Sequence, residues 1–203
     1  MQEDSYQTIE TESEGLYKEK GSKFIAFAFP VCCLEEIKEH IDKLKKEYYD
    51  ARHHCYAYML GPEKKEFRAN DDGEPSSTAG KPILGQILSQ NLTNILVVVI
   101  RYFGGTKLGV SGLIHAYKTA TADSLQQANI ITKTVNDVYA VHFDYLVMND
   151  VMKIIKDEKP QILNQDYNLM CTISLSIRQS LVERIVNRFK KIDSVKIEYL
   201  QTI

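Results

Sequence analysis

The sequence predicts an α+β protein of two domains, residues 1–133 and residues 134–203, and three observations carry that prediction. Ile95 to Ile100 (ILVVVI) is a continuous apolar run rich in β-branched residues, the pattern of a strand covered on both faces. Leu34 to Tyr49 places Leu34, Ile37, Ile41, Leu44 and Tyr48 at helical spacing, with Glu35, Lys38, Glu39, Asp42 and Lys45 on the other face; this is an amphipathic helix laid on a sheet. From Val135 onward the elements run β-α-β-β-α-β. That order is the split βαβ of a ferredoxin-like sandwich, and its completeness puts the domain boundary near Lys133 to Val135.

Taken in order, Phe24 to Val31 reads as a strand, and the turn signal Lys20-Gly21-Ser22-Lys23 pairs it with residues around Leu16 and Tyr17. Cys55 to Leu60 is a second strand, ended by Gly61-Pro62, with Glu66 to Ala69 pairing back against it. Asp71 to Pro82 is too rich in turn formers to be regular, which leaves a structured loop or a disordered one. Ile83 to Gln90 follows as a short helix with Pro82 in its first turn. A longer helix is expected from about Ser111 to Asn129, with Ser111 as N-cap and Leu113, Ala116, Ala120 and Leu125 toward the sheet. In the second domain the expected elements are strand Val135 to Phe143, helix Tyr145 to Lys159, strands Gln161 to Tyr167 and Leu169 to Ile177, helix Leu181 to Lys190 and strand Val195 to Leu200. Ser180 and Glu183 supply an S-x-x-E capping box.

The composition limits function. Of 203 residues 44% are apolar, enough for real cores, and only the first few residues are expected to fray. Lys and Arg number 25 against 27 for Asp and Glu, a net charge of -2, so any contact with RNA needs a local cationic patch. Arg184, Arg188, Lys190 and Lys191 crowd one helix of the second domain; this is a solvated face or an RNA-facing one. Cys32, Cys33, Cys55 and Cys171 form no C-x-x-C pair, and MQEDSYQTIE has no apolar core, so neither a disulfide framework nor a signal peptide is indicated. No apolar run reaches the length of a membrane span. The expected compartment is a reducing cytoplasm.

The candidate site is the stretch after Ile100, RYFGGTKLGVSGLIHAY. Gly104 and Gly109 are spaced as in a phosphate loop, but Val110 and Ser111 stand where that loop needs Lys and Ser or Thr, and G-x-G-x-x-G is absent. What remains is a set of glycines (Gly104, Gly105, Gly109), backbone N–H groups near a helix start, and Arg101 and Lys107 as cations. Two readings stand side by side, an anion site and a tight structural turn. Tyr102 and Phe103 could stack on bases or belong to the core. In the second loop Asp71, Asp72 and Glu74 could hold a hard cation or be hydrated turn carboxylates, and Ser76, Ser77 and Thr78 are placed to cap a helix. His53 and Cys55 could face one metal, but no second ligand pair has zinc spacing. His115, on the helix after the glycines, could donate to an anion.

DDGEPSSTAGKPIL, then NLTNILVVVIRYFGGTKLGVSGLIHAY, with HHCYAY upstream, closely resembles the signature of the YigZ/IMPACT family, of the bacterial YigZ type with two domains. Ser77 and Ser111 stand where that family usually has glycine, and His115 where arginine is usual. The resemblance implies an N-terminal α/β sandwich like a domain of a small-subunit ribosomal protein. It also implies a C-terminal domain like the last, ferredoxin-like domain of elongation factor G. From this follows the expected function: a cytoplasmic, non-enzymatic protein that binds RNA or the ribosome and serves regulation of translation, without cofactor or metal. Arg101, Tyr102, Gly104, Gly105, Lys107, Gly109, Ser111 and His115 form its contact surface. The alternative is an enzyme acting on a small phosphorylated or acidic substrate in a cleft between residues 71–82 and 101–112, with Asp71, Asp72, Glu74, Ser76 and Thr78 supplying the second wall. A protein-interaction module is the third reading.

Overall fold

A computed structural model describes residues 4–168 and 170–203. The expected fraying of the first residues falls on 1–3, and the expected start of one strand falls on Leu169; both lie outside the described residues. Contacts divide the chain into two units, residues 6–133 and residues 134–203, with Asp4 and Ser5 grouped with the latter rather than with the first domain. Electrostatics and backbone pairing account for that difference. The Asp4 carboxylate takes two hydrogen bonds from the Arg178 guanidinium, at 2.7 Å each, and the Asp4 carbonyl accepts from the Val135 N–H.

Strands β1 (Ser5–Ile9), whose first residue falls in the other unit, β2 (Ser13–Glu19) and β3 (Ser22–Pro30) precede helix α1 (Leu34–Glu47). Then come β4 (His53–Leu60), β5 (Glu66–Asn70), α2 (Gly80–Ser89), β6 (Ile95–Tyr102), α3 (Gly109–Gln127) and β7 (Ile130–Thr134). The main sheet has the order β2-β3-β6-β4-β5 and is antiparallel throughout. β6 is its central strand, which is why Ile95 to Ile100 are wholly buried. Alternate side chains serve two cores: Ile95, Val97 and Val99 pack with α2 and α3, while Leu96, Val98 and Ile100 pack beneath α1. Each such burial stabilises the fold by roughly 1.5–3 kcal/mol.

Several boundaries differ from the sequence expectation, and three of them bear on the site. β4 begins at His53, because both histidines pair with β6: His53 lies opposite Arg101 and His54 opposite Ile100. β6 runs on through Arg101 and Tyr102, so these two residues belong to the strand and not to the glycine loop. α3 begins at Gly109 after N-cap Leu108, so Ser111 lies inside the first turn and caps nothing. β1 and β7, which pair with each other, have no counterpart in the expected elements. Their residues alternate too weakly to read as strands, and the pairing joins segments more than a hundred residues apart.

The second unit holds β8 (Asn136–Phe143), α4 (Met148–Glu158), β9 (Gln161–Tyr167), β10 (Cys171–Arg178), α5 (Val182–Phe189) and β11 (Lys196–Thr202). The sheet order β11-β8-β10-β9, antiparallel, with the buried residues of α4 and α5 in the core beneath it, is the ferredoxin-like arrangement. The Ser180–Glu183 capping box does not form. Leu181 is the N-cap, and the Ser180 N–H donates to the Asp4 carboxylate instead. Arg184 and Arg188 pair with Glu158, and Arg188 also reaches Asp157 at 2.7 Å, so half of the expected basic cluster is neutralised across α4 and α5.

One glycine of the signature is fixed by close approach. A Cβ on Gly104 would lie 1.8 Å from the Gly21 carbonyl carbon and 2.1 Å from the Ser22 nitrogen, because the β2–β3 turn presses backbone to backbone against the end of β6. Gly104→Ala is expected to destabilise the fold by about 1–3 kcal/mol or more, read as a lowered denaturant midpoint at unchanged m-value.

Candidate functional site: a pocket between two loops

The site grows from the end of β6. Arg101 points to the same face as Val97 and Val99, toward α3, and is 7% exposed. Its Nη1 donates to Glu74 Oε1 at 2.6 Å, and the Tyr117 hydroxyl, from α3, donates to the same oxygen at 2.8 Å. The guanidinium carbon lies 5.5 Å from the ring centre of Phe24 and 5.7 Å from that of Phe103, so the charge lies against two aromatic rings. Arg101 Nε is buried and has no hydrogen-bond partner among the described residues. Behind Tyr117 lies Cys55, whose single thiol proton serves either the Tyr117 hydroxyl at 3.3 Å or the Asp71 carbonyl at 3.0 Å. Burial pushes the Cys55 thiol up, and burial with Cys55 and Glu74 beside it pushes the Tyr117 hydroxyl up, so both stay protonated at neutral pH. Neither is an activated nucleophile.

The loop from Asp71 to Ala79 is structured, and Asp71 is the reason. Its carboxylate accepts the N–H groups of Ser77 (2.8 Å), Ala79 (3.0 Å) and Gly80 (2.8 Å), binding the loop and the first turn of α2 to one side chain. Burial raises the Asp71 carboxyl, but these donors outweigh it and hold it below the usual range. Asp72 Oδ2 accepts the His54 N–H, and the Thr78 hydroxyl donates to the Pro75 carbonyl. Glu74 is buried and held by Arg101 and Tyr117, whereas Asp71 and Asp72 stay partly exposed while their carboxylates accept backbone N–H groups of the loop and of β4. His53 Nδ1 lies 2.8 Å from the Asp72 carbonyl; a carbonyl only accepts, so Nδ1 carries the proton. Among the described residues His53 and Cys55 belong to no group of three or more His, Cys, Asp or Glu side chains with ligand atoms close together. Ser77 has φ +65°, the left-handed conformation that glycine adopts without penalty, whereas Ser111 is helical.

The two loops meet at a pocket of about 460 Å³. Glu74 and Pro75 form one wall, Phe103 and Lys107 to Val110 another, with Arg52 and His53 at the start of β4, and Arg101 and Leu113 completing the lining. Phe103 is 55% exposed. Gly105 and Gly109 take φ of +85° and +75° and set the chain between strand and helix. Arg52 and Lys107 make no salt bridge among the described residues.

Several predicted residues are elsewhere. Tyr102 points to the opposite face, where its hydroxyl donates to Asp50 at 2.8 Å; of the aromatic pair it is Phe103 that lines the pocket. His115 is exposed, with its ring edge-on to Tyr17, and lines no wall. Ser111 and Ser76 are exposed and also lie off the pocket lining. Arg52 and Tyr117 are site groups that the sequence did not point to, and His53, expected only as a metal ligand, lines the pocket. The strand alternation of His53 with Cys55 was the one available signal.

An antiparallel five-stranded sheet between one helix and two, with a pocket between a carboxylate loop and a glycine loop, defines an α/β sandwich domain, and a ferredoxin-like unit follows it in the chain. The Impact N-terminal domain matches residues 20–125, and the chain belongs to the IMPACT family. It is 34% identical to the IMPACT family member YvyE of Bacillus subtilis over 155 residues, 76% of this chain and 71% of that protein. It is 31% identical to the IMPACT family member YigZ of Escherichia coli over 160 residues, 78% of each. The crystal structure of a hypothetical protein superposes on it with a TM-score of 0.75 and 27% identity, covering 98% of both chains. No helix among the described residues is long and apolar enough to cross a membrane.

Two measurements test this geometry. Glu74→Ala leaves the Arg101 charge buried and uncompensated, and is expected to lower unfolding free energy by about 3–5 kcal/mol in denaturant titration. Ser77→Gly removes left-handed strain and is expected to raise it by up to about 1 kcal/mol.

Proposed function

We propose that this is a cytoplasmic, translation-associated protein that binds RNA or the ribosome through the pocket between residues 71–82 and 101–112. The observation that carries the reading is the exposed Phe103 ring in a pocket whose unpaired cations are Arg52 and Lys107. A base stacks on the ring while phosphate meets the two cations and the N–H groups at the start of α3. Arg101, neutralised by Glu74, shapes the floor and adds little net charge. His115 and Tyr102, away from the pocket, are not part of the contact set. The family supports the translational setting, since its relationship to ribosomal-protein and elongation-factor domains is what the signature implies.

The test is binding to ribosomes and to structured RNA across a salt series. Log affinity is expected to fall linearly with log salt, and Lys107→Ala or Arg52→Ala to reduce the slope by about 0.7–0.9 each. Phe103→Ala is expected to cost about 1–3 kcal/mol of binding with the slope unchanged. A flat salt dependence, or full binding by Lys107→Ala, overturns the reading.

A second reading, an enzyme for a small phosphorylated or acidic substrate, has one observation in its favour: the two loops enclose a cavity of small-ligand size. His53 is its only suitable base among the lining residues, since the Nδ1 proton given to Asp72 leaves Nε2 as the acceptor of the neutral ring. Calorimetric binding of a small phosphorylated compound together with absence of RNA affinity would favour this reading.

A further inference from the structure

A second group of chemistry-bearing residues lies in the same unit at the far end of β3. Its register places Phe24 opposite Arg101 at the pocket, and Pro30 opposite Ile95 at the other end, where the chain turns through Val31 to Cys33 into α1. Cys33 is the N-cap of α1, with φ -149° and ψ 168°, yet its side chain makes no capping hydrogen bond. Neighbouring residues on a regular strand point to opposite faces. Here the turn instead brings one ligand atom each of Cys32, Cys33 and Glu36 within 4.8 Å of one another. Among the described residues this is the only group of three or more His, Cys, Asp or Glu side chains with such a spacing.

The carboxylate is held in place by its surroundings. Glu36 Oε2 accepts the Cys32 N–H at 2.7 Å, and Oε1 accepts the Cys32 thiol at 3.3 Å. Cys32 is exposed and Cys33 partly so, which gives an ion a route in from solvent.

We propose that Cys32, Cys33 and Glu36 bind one thiophilic divalent cation of the zinc class, with water in the fourth position. The donor set is chemically matched, since two sulfurs and a carboxylate suit zinc and disfavour magnesium and calcium, which take oxygen. The distances are matched as well. Ligands of a tetrahedral zinc thiolate centre stand about 3.5–3.8 Å apart, so closing the triad needs side-chain shifts of about 1 Å. Charge also agrees: two thiolates and a carboxylate leave a net single negative charge around a divalent ion, and the N-terminal end of a 14-residue helix favours negative charge. Metal binding releases the two thiol protons to solvent and ties the end of β3 to the first turn of α1. The site is separate from the pocket and does not rest on RNA binding.

The test is a titration of the full chain, kept reduced with a phosphine, with Co²⁺ as the spectroscopic probe. The expected result is a thiolate-to-cobalt charge-transfer band saturating at one Co²⁺ per chain and bleached by Zn²⁺. Cys32→Ser and Cys33→Ser are each expected to weaken binding at least about tenfold, the double variant to abolish the band, and Glu36→Gln to weaken binding about tenfold with the band retained. Circular dichroism checks that the variants fold, which their positions at a solvent-facing junction favour. Cys55 and Cys171 are buried and serve as the internal control. The proposal is overturned by absence of the band, by its persistence in the double variant, by unchanged affinity in Glu36→Gln, or by one cobalt shared between two chains.

Discussion

The Glu74 carboxylate is the contact on which the architecture around the pocket depends. One oxygen accepts from Arg101 on the central strand and from Tyr117 on α3, so a single side chain of the connecting loop reaches the sheet and the long helix together. Removing carboxylate and guanidinium from water costs several kcal/mol each, and only their pairing, the tyrosine hydroxyl and the flanking rings offset it. The interaction therefore contributes less to net stability than its contacts suggest, and it ties the loop that carries Pro75 to the sheet and to α3. Asp71 acts beside it on the same loop, converting a stretch without regular structure into one with satisfied donors.

That pairing also changes what the glycine stretch does. Read linearly, RYFGGTKLG is one loop carrying two cations and two aromatic residues. In space it divides into a strand end, a backbone contact and a helix start. Arg101 turns inward and is neutralised, Tyr102 turns to the α1 face, and only Phe103 and Lys107 remain available to a ligand at the pocket. Gly104 serves the contact with Gly21, while Gly105 and Gly109 supply the positive φ values that let the chain turn. The structural-turn reading is thus realised at Gly104, Gly105 and Gly109, while Phe103 and Lys107 are the exposed groups of the stretch at the pocket.

In the second unit the same principle works against the basic helix as a nucleic-acid surface. Arg184 and Arg188 lie one turn apart on α5 and meet Glu158 and Asp157 at the end of α4, so their charge is spent within the unit.

Periodicity and local chemistry made much of this protein legible from residues alone. The alternate burial of Ile95 to Ile100, the amphipathic α1 and the βαββαβ order of the second unit follow from patterns that any core-forming chain must obey, and the two loops stood out by composition. The rest depended on partners distant in sequence. β1 and β7 exist because they pair with each other; Asp4 joins the second unit because Arg178 is there; and the roles of Glu74, Cys55 and Tyr117 arise only where three elements converge. Local sequence sets which backbone conformations are accessible and which faces are apolar. Which charge is neutralised and which is left for a ligand was decided by tertiary structure, because electrostatic pairing and desolvation depend on distances that sequence separation does not encode.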